Sequence, residues 1–168
     1  NIYTGLLTGV NGGRIDSVYA AGNMAVEEYG ANKTNWANSL VAGGSQNVSN
    51  SFTVGELQKT IWQPQGTKKV KMIEQYTKCG PVVNGAVNAN TGSVQNNYYY
   101  TSYLTDYACN IPKRQEKITD AAVFQDTAFY DKTINRTGQF AMGDLTDGYF
   151  PRVKMSAKLM NAQQRVPV

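Results

Sequence analysis

The chain contains no histidine. That absence removes Ser-His-Asp and Cys-His nucleophilic catalysis, imidazole metal ligation and the usual neutral-pH acid/base group in one step. A non-enzymatic role is the expectation. Cysteine is scarce: Cys79 and Cys109 are the only two, with no CxxC partner and no histidine to complete a tetrahedral set, so a structural zinc site is excluded. Core-forming residues are few as well. Val, Ile, Leu and Phe number 15, 7, 7 and 5 in 168 residues, the level at which packed cores give way to disorder. No apolar run approaches the ~20 residues a membrane-spanning helix requires, and no membrane insertion is expected.

Abundance lies elsewhere. Tyr (11) outnumbers Leu, and 16 Gly are matched by 16 Asn, so much of the chain is polar, turn-forming and aromatic. The length suits a single unit over 1–168, and the opening Asn1 in place of Met points to a processed or trimmed product. Charge divides that unit. Residues 1–66 carry three bases against four acids, a near-neutral −1, whereas residues 67–168 carry thirteen against eight, a basic +5, together with both cysteines. The bases cluster at Lys68, Lys69 and Lys71, at Lys113 and Arg114, and at Arg152, Lys154 and Lys158. The plain reading is solvated faces; the functional one is an acidic partner drawn by complementary charge.

Spacing predicts a mainly α fold of several short helices joined by long extended or irregular segments, with a small core of its own and order gained against a partner. Ile15, Val18, Tyr19, Gly22, Val26 and Tyr29 recur at three and four residues, which predicts a helix over Arg14 to Tyr29 stopped by Gly30. Thr53-Val54-Gly55-Glu56 matches a capping box, with Phe52 placed to staple onto Leu57 and Pro64 to end the helix. A third helix is expected over Thr67 to Cys79, with Met72, Ile73, Tyr76 and Cys79 on one face. Tyr99, Tyr103 and Tyr107 share helical spacing. Pro112 opens a fourth helix burying Ile118, Ala121, Ala122 and Phe129, and a short basic helix fits Met155 to Ala162. Asn32 to Ser51 and Val82 to Asn97 are expected to be extended connections, the latter with at most a short strand. No convincing internal repeat is visible.

The cysteines carry the most chemistry. Each follows a tyrosine (Tyr76 before Cys79, Tyr107 before Cys109), each precedes a proline, and bases stand nearby at Lys78, Lys113 and Arg114. Cationic neighbours favour the thiolate, and an aromatic wall with bases suits covalent attachment of a flat, acidic prosthetic group. The alternative is a structural disulfide worth roughly 3–4 kcal/mol, or two inert buried thiols. Glu27-Glu28 read as the polar side of a helix, and Asp144 and Asp147 as a turn, rather than as hydrolase carboxylate pairs. The glycines lack phosphate-loop spacing, and the scattered arginines argue against nucleic-acid binding. Three acceptor triplets, at Asn32, Asn47 and Asn135, lean slightly toward secretion.

A basic chain without histidine, rich in Tyr and Asn, with isolated cysteines set among tyrosines and bases, resembles the linker polypeptides of phycobilisomes, above all the phycoerythrin-associated gamma type of red algae. The resemblance is of overall character across the chain. It implies a non-catalytic light-harvesting linker in the chloroplast, at the stromal face of the thylakoid, threaded through an acidic phycobiliprotein hexamer. It also implies a phycobilin, of phycourobilin or phycoerythrobilin type, in thioether linkage to Cys79 and Cys109. Tyr76 and Tyr107, with Trp62, would form its aromatic walls, Asp106 would meet the pyrrole N–H groups, and Lys78, Lys113 and Arg114 the propionates. The competing class is a secreted or surface structural and adhesive protein stabilised by a Cys79–Cys109 disulfide.

Overall fold

Strands of a few residues, joined by polar corners, make up most of the molecule. A computed structural model describes residues 3–29, 36–44, 47–71, 79–80, 82, 94–101, 115–154 and 166–167. The first coil comprises β1 (Tyr3–Gly5), β2 (Thr8–Asn11), β3 (Arg14–Asp16), β4 (Tyr19–Ala21) and β5 (Met24–Tyr29). The second repeats the order with β6 (Trp36–Asn38), β7 (Val41–Gly44), β8 (Asn47–Ser49), β9 (Phe52–Val54) and β10 (Leu57–Gln65). Each second-coil strand lies parallel to its first-coil counterpart at a constant offset: Tyr3 faces Trp36, Thr8 faces Val41, Ile15 faces Val48, Tyr19 faces Phe52 and Met24 faces Leu57. The chain therefore winds as a parallel β-solenoid, advancing one strand spacing per 33 residues.

β11 (Lys68–Lys71) then turns back on β10 through Gly66, whose φ of 62° suits a tight hairpin. A third coil follows with β12 (Cys79–Gly80), β13 (Val94–Gln95) and β14 (Asn97–Tyr100), parallel to β6, β8 and β9. β15 (Gln115–Lys117) adds a further parallel strand beside β14. The C-terminal part is different in kind. A 3-10 turn at Ala121–Gln125, α1 (Thr127–Lys132), β16 (Phe140–Ala141), a 3-10 segment at Met142–Asp147 and β17 (Arg152–Val153) fold back over the solenoid. Asp120 and Asp126 start the two helical turns by accepting from the backbone N–H of Ala122 and Ala128, each at 2.9 Å.

Strand alternation produces two main cores. In the β4–β9–β14 sheet the central residues Ala20 and Tyr99 face the solenoid interior, where they meet Ile15, Val18, Leu40, Val41, Val48, Val82 and Val94. Ile15, Val48 and Val94 share one register row, so Val48 is sandwiched between branched neighbours of the adjacent coils. Tyr19, Phe52, Tyr98 and, two residues on, Ala21, Val54, Tyr100 project from the opposite face. The C-terminal part covers that face, and all five phenylalanines of the chain gather there with Tyr130 and Ile134. A fully buried aromatic or branched aliphatic side chain contributes about 1.5–3 kcal/mol by leaving water. The few core residues are thus concentrated where they count.

The mainly α expectation is overturned. Residues 14 to 29 form β3, β4 and β5, because corners at Ser17 and at Gly22-Asn23 reset the two-residue alternation and bring apolar positions to three- and four-residue spacing by accident. The capping box is absent: Gly55 has a φ of 131°, which no helix accommodates, and the Glu56 N–H donates to Asn23 Oδ1 at 2.8 Å. Phe52 and the proposed staple partner Leu57 belong to different clusters. Pro64 sits inside β10, where it faces β11 beyond the end of the β5 pairing at Tyr29, an edge position that tolerates a missing N–H. Lys68–Lys71 is a strand, and so is Tyr98–Tyr100, where the rings alternate between faces. The connection Asn32 to Ser51 holds β6, β7 and β8. Of the expected buried face Ile118 and Phe129 are buried, Ala121 is half-buried and Ala122 is exposed, and helix is limited to the 3-10 turn at Ala121–Gln125 and to α1; Met72 to Lys78, Tyr103, Tyr107, Pro112 and Met155 to Ala162 lie outside the described residues. The aromatics of the chain pack against one another in a core of its own. Among the described residues no helix is long and apolar enough to cross a membrane.

Candidate functional site

The corner between β3 and β4, and its equivalents in the next two coils, requires a backbone turn that ordinary residues resist. Ser17, Asn50 and Asn96 occupy it with φ of 59°, 53° and 56°, the left-handed region that Asn tolerates better than most residues. The turn frees backbone groups that side chains must satisfy. Ser51 Oγ accepts from the Val18 N–H at 3.2 Å and donates to the Ser49 carbonyl at 2.8 Å. One coil on, Asn97 Oδ1 accepts from the Ser51 N–H at 3.1 Å while its Nδ2 donates to the Val48 carbonyl at 2.8 Å. Asn50, Asn96 and Asn97 owe their place in the sequence to this corner chemistry.

Outside the corner the polar side chains of successive coils form a ladder. Asn96 Nδ2 donates to Asn50 Oδ1 at 2.8 Å, and Asn50 Nδ2 donates to Asp16 Oδ1 at 2.7 Å. Ser49 Oγ donates to the same oxygen at 3.2 Å, while Arg14 Nη2 reaches Asp16 Oδ2 at 2.6 Å. Burial alone would raise the Asp16 pKa; the hydrogen bonds from Asn50 and Ser49, with the charge and hydrogen bond of Arg14, outweigh it and hold the carboxyl below its ordinary value. The C-terminal part docks on the ladder's far end. Asn96 Nδ2 also donates to the Lys132 carbonyl at 2.7 Å, and Arg136 Nη1 donates to Asn50 Oδ1 at 3.0 Å.

Between the ladder and the turn after α1 lies a cleft of about 320 Å³, lined by Arg14, Asp16, Ser17, Asn50, Gln95, Arg136 and Thr137. Every residue that lines it is polar or charged, with two guanidinium groups against one carboxylate. Arg136 meets a neutral amide oxygen, so that contact leaves its charge uncompensated. Among the described residues no cluster of three metal-ligating side chains occurs.

The residues singled out for chromophore attachment lie elsewhere. Cys79 belongs to β12, its backbone paired with buried Ala37. Tyr76, Lys78, Asp106, Tyr107, Cys109, Lys113 and Arg114 are outside the described residues, as is the side chain of Cys79. Half-buried Trp62 lies in β10 opposite Lys71. Of the other basic cluster, Arg152 Nε pairs with Asp144 Oδ2 at 3.1 Å and Lys154 Nζ donates to the Gly138 carbonyl at 2.7 Å.

Sequence spacing missed every residue of the cleft, yet a signal existed. Ile15-Asp16-Ser17-Val18-Tyr19, Val48-Ser49-Asn50-Ser51-Phe52 and Val94-Gln95-Asn96-Asn97-Tyr98 repeat one pattern: a branched inward residue, a polar residue, the left-handed corner, a variable residue, and an outward aromatic. The intervals are 33 and 46 residues, and this inequality hides the repeat from a fixed-period search.

Fold and cleft together define a short parallel β-solenoid whose C-terminal part seals an aromatic outer face. No family model, curated protein or solved structure matches the chain.

Proposed function

We propose that the chain is a non-catalytic structural and adhesive module of a secreted or surface protein, in which the solenoid is a rigid frame and the corner cleft makes contact with a ligand. The observation that carries this reading is the three-coil ladder Asp16, Asn50, Asn96. It holds outward polar groups one strand spacing apart on backbone that packing makes stiff, the preorganisation that recognition by hydrogen bonds needs. The lining offers binding groups and no general acid and base pair, because its one carboxylate is already engaged by the side chains of Arg14, Ser17, Ser49 and Asn50. Reading the chain as a bilin-bearing phycobilisome linker leaned on a helical architecture that the solenoid replaces, so the surface class is preferred.

Adhesion is the direct test. Beads coated with the protein are expected to be retained, saturably, on surfaces bearing polysaccharide, and the purified chain is expected to turn over none of the glycosides, esters or phosphoesters offered. Turnover abolished by Asp16→Asn, or failure to adhere to any such surface, would overturn the proposal. Denatured protein should be colourless in visible light; a tetrapyrrole absorption band would restore the linker reading.

A further inference from the structure

We propose that the corner cleft binds a uronic acid residue of an acidic polysaccharide, with Arg136 holding the sugar carboxylate and Gln95 and Thr137 meeting ring hydroxyls. The assignment rests on the adhesive reading above and names its ligand class. Three features of the cleft lead to it. The first is charge: two guanidinium groups face one carboxylate, and Asp16 is held by Arg14, Asn50 and Ser49, so it braces the wall and has little capacity left for a cation. Arg136 is exposed, reaches the cleft from the C-terminal cover and donates only to an amide oxygen there. A planar guanidinium in that state is suited to a planar carboxylate.

The second is the character of the other walls. Ser17, Asn50, Gln95 and Thr137 supply hydroxyl and amide groups, and no aromatic or aliphatic side chain lines the cleft. Such walls suit a hydroxylated body and disfavour a flat apolar one. The third is size. A cleft of about 320 Å³ is roomy for inorganic phosphate and matches the small end of ligand sites, so the anion arrives attached to something larger, and a sugar ring meets both requirements. The cleft also spans two structural units. Asp16, Asn50 and Gln95 come from three successive coils and Arg136 and Thr137 from the cover, so ligand would hold the two together.

Titration of the full chain with trigalacturonate, its methyl ester and inorganic phosphate, followed by calorimetry and amide NMR, tests the assignment. Trigalacturonate is expected to shift the Asn50, Gln95 and Asn96 amides, and the neutral ester to bind at least about tenfold more weakly, as loss of a charge-assisted pair implies. Arg136→Met should weaken acid binding by a similar factor while the chain stays folded, its melting temperature lowered only by the loss of the hydrogen bond to Asn50, whereas Lys117→Met, outside the cleft, should leave acid binding unaltered. Equal affinity for acid and ester, shifts confined to other surfaces, equal loss in Lys117→Met, or phosphate binding the cleft as tightly as the trisaccharide would each overturn the assignment. Retention of Arg136→Met beads on polygalacturonate at the unaltered level would overturn the cleft assignment and leave adhesion standing. Absence of adhesion with cleft binding intact would remove the adhesive role alone.

Discussion

Tyr19 lies flat against Phe52, ring centroids 5.3 Å apart and planes 9° from parallel, because the two occupy one register position in successive coils. Phe52 is also the hub of the outer core, with Phe129 at 5.3 Å, Phe124 at 5.8 Å, Phe150 at 5.9 Å and Tyr130 at 6.0 Å. It joins solenoid to cover. Phe52→Ala is therefore expected to cost about 3–5 kcal/mol, the range for deleting a buried aromatic ring, and Phe52→Leu distinctly less. Urea unfolding monitored by circular dichroism measures both, and a loss under ~1 kcal/mol for the alanine variant would contradict the packing described.

Gly55 is needed at its corner for two separate reasons. Its φ of 131° is one that side chains rarely adopt, and a Cβ there would run into the Gly22 carbonyl of the coil beneath. Gly55→Ala should destabilise by about 1–3 kcal/mol or more, while Gly66→Ala, whose Cβ would stand in open space at φ 62°, should cost only about 1 kcal/mol. The difference between their denaturation midpoints is the measurement.

At Asn50 conformation and hydrogen bonding can be separated. Asn50→Gly keeps the left-handed backbone accessible but removes the bonds to Asp16, Asn96 and Arg136; Asn50→Ala loses both. The alanine variant should be the less stable by about 1 kcal/mol, the local price of that backbone region for a side chain. Equal stabilities would show that hydrogen bonds alone govern the corner.

Acid should weaken the corner first. The folded pKa of Asp16 lies below its ordinary 3.8, so the charged form is favoured in the folded state. Its contribution is complete above that ordinary value and disappears as pH falls through the lower folded value. Wild type is expected to lose more stability than Asp16→Asn between about pH 5 and pH 2. Parallel stability profiles for the two proteins across that range would contradict the arrangement.

Alkali should act on the outer core. Burial, with the nearby Tyr19, pushes the Tyr130 hydroxyl well above its ordinary 10.0, and burial also raises Tyr19, Tyr98 and Tyr99. These phenols stabilise fully below pH 10, and their contribution is lost as pH rises through their higher folded values. Ultraviolet difference titration should show a group of tyrosines that ionise only with unfolding. Tyr130→Phe, which removes the hydrogen bond to the Phe124 carbonyl at 2.8 Å, should unfold at higher pH than wild type even if it is less stable at neutrality.

Much of the cleft's chemistry could not be read along the chain. Arg14 and Arg136 are more than a hundred positions apart, and each by itself looks like an isolated surface base. Asn50 looks like one turn residue among sixteen asparagines; only its place in a column between Asp16 and Asn96 makes it part of a ladder. Ile118 and Phe129 were legible as buried because strong apolar character needs no partner to be recognised.

Composition alone determined several things: which chemistries are missing for want of histidine, that aliphatic core would be scarce, and that turns would be frequent. These follow from side-chain properties that do not depend on where the chain goes. Tertiary structure decided the secondary structure itself. A three-residue strand makes too few bonds and too little alternation to declare itself, and Arg14 to Tyr29 has apolar spacing that suits a helix as well as three strands. Parallel stacking settled the matter, because a strand flanked by the same position of the coil beneath satisfies its backbone and buries its side chain together, and this pairing joins residues 33 and 46 positions apart that no local pattern connects.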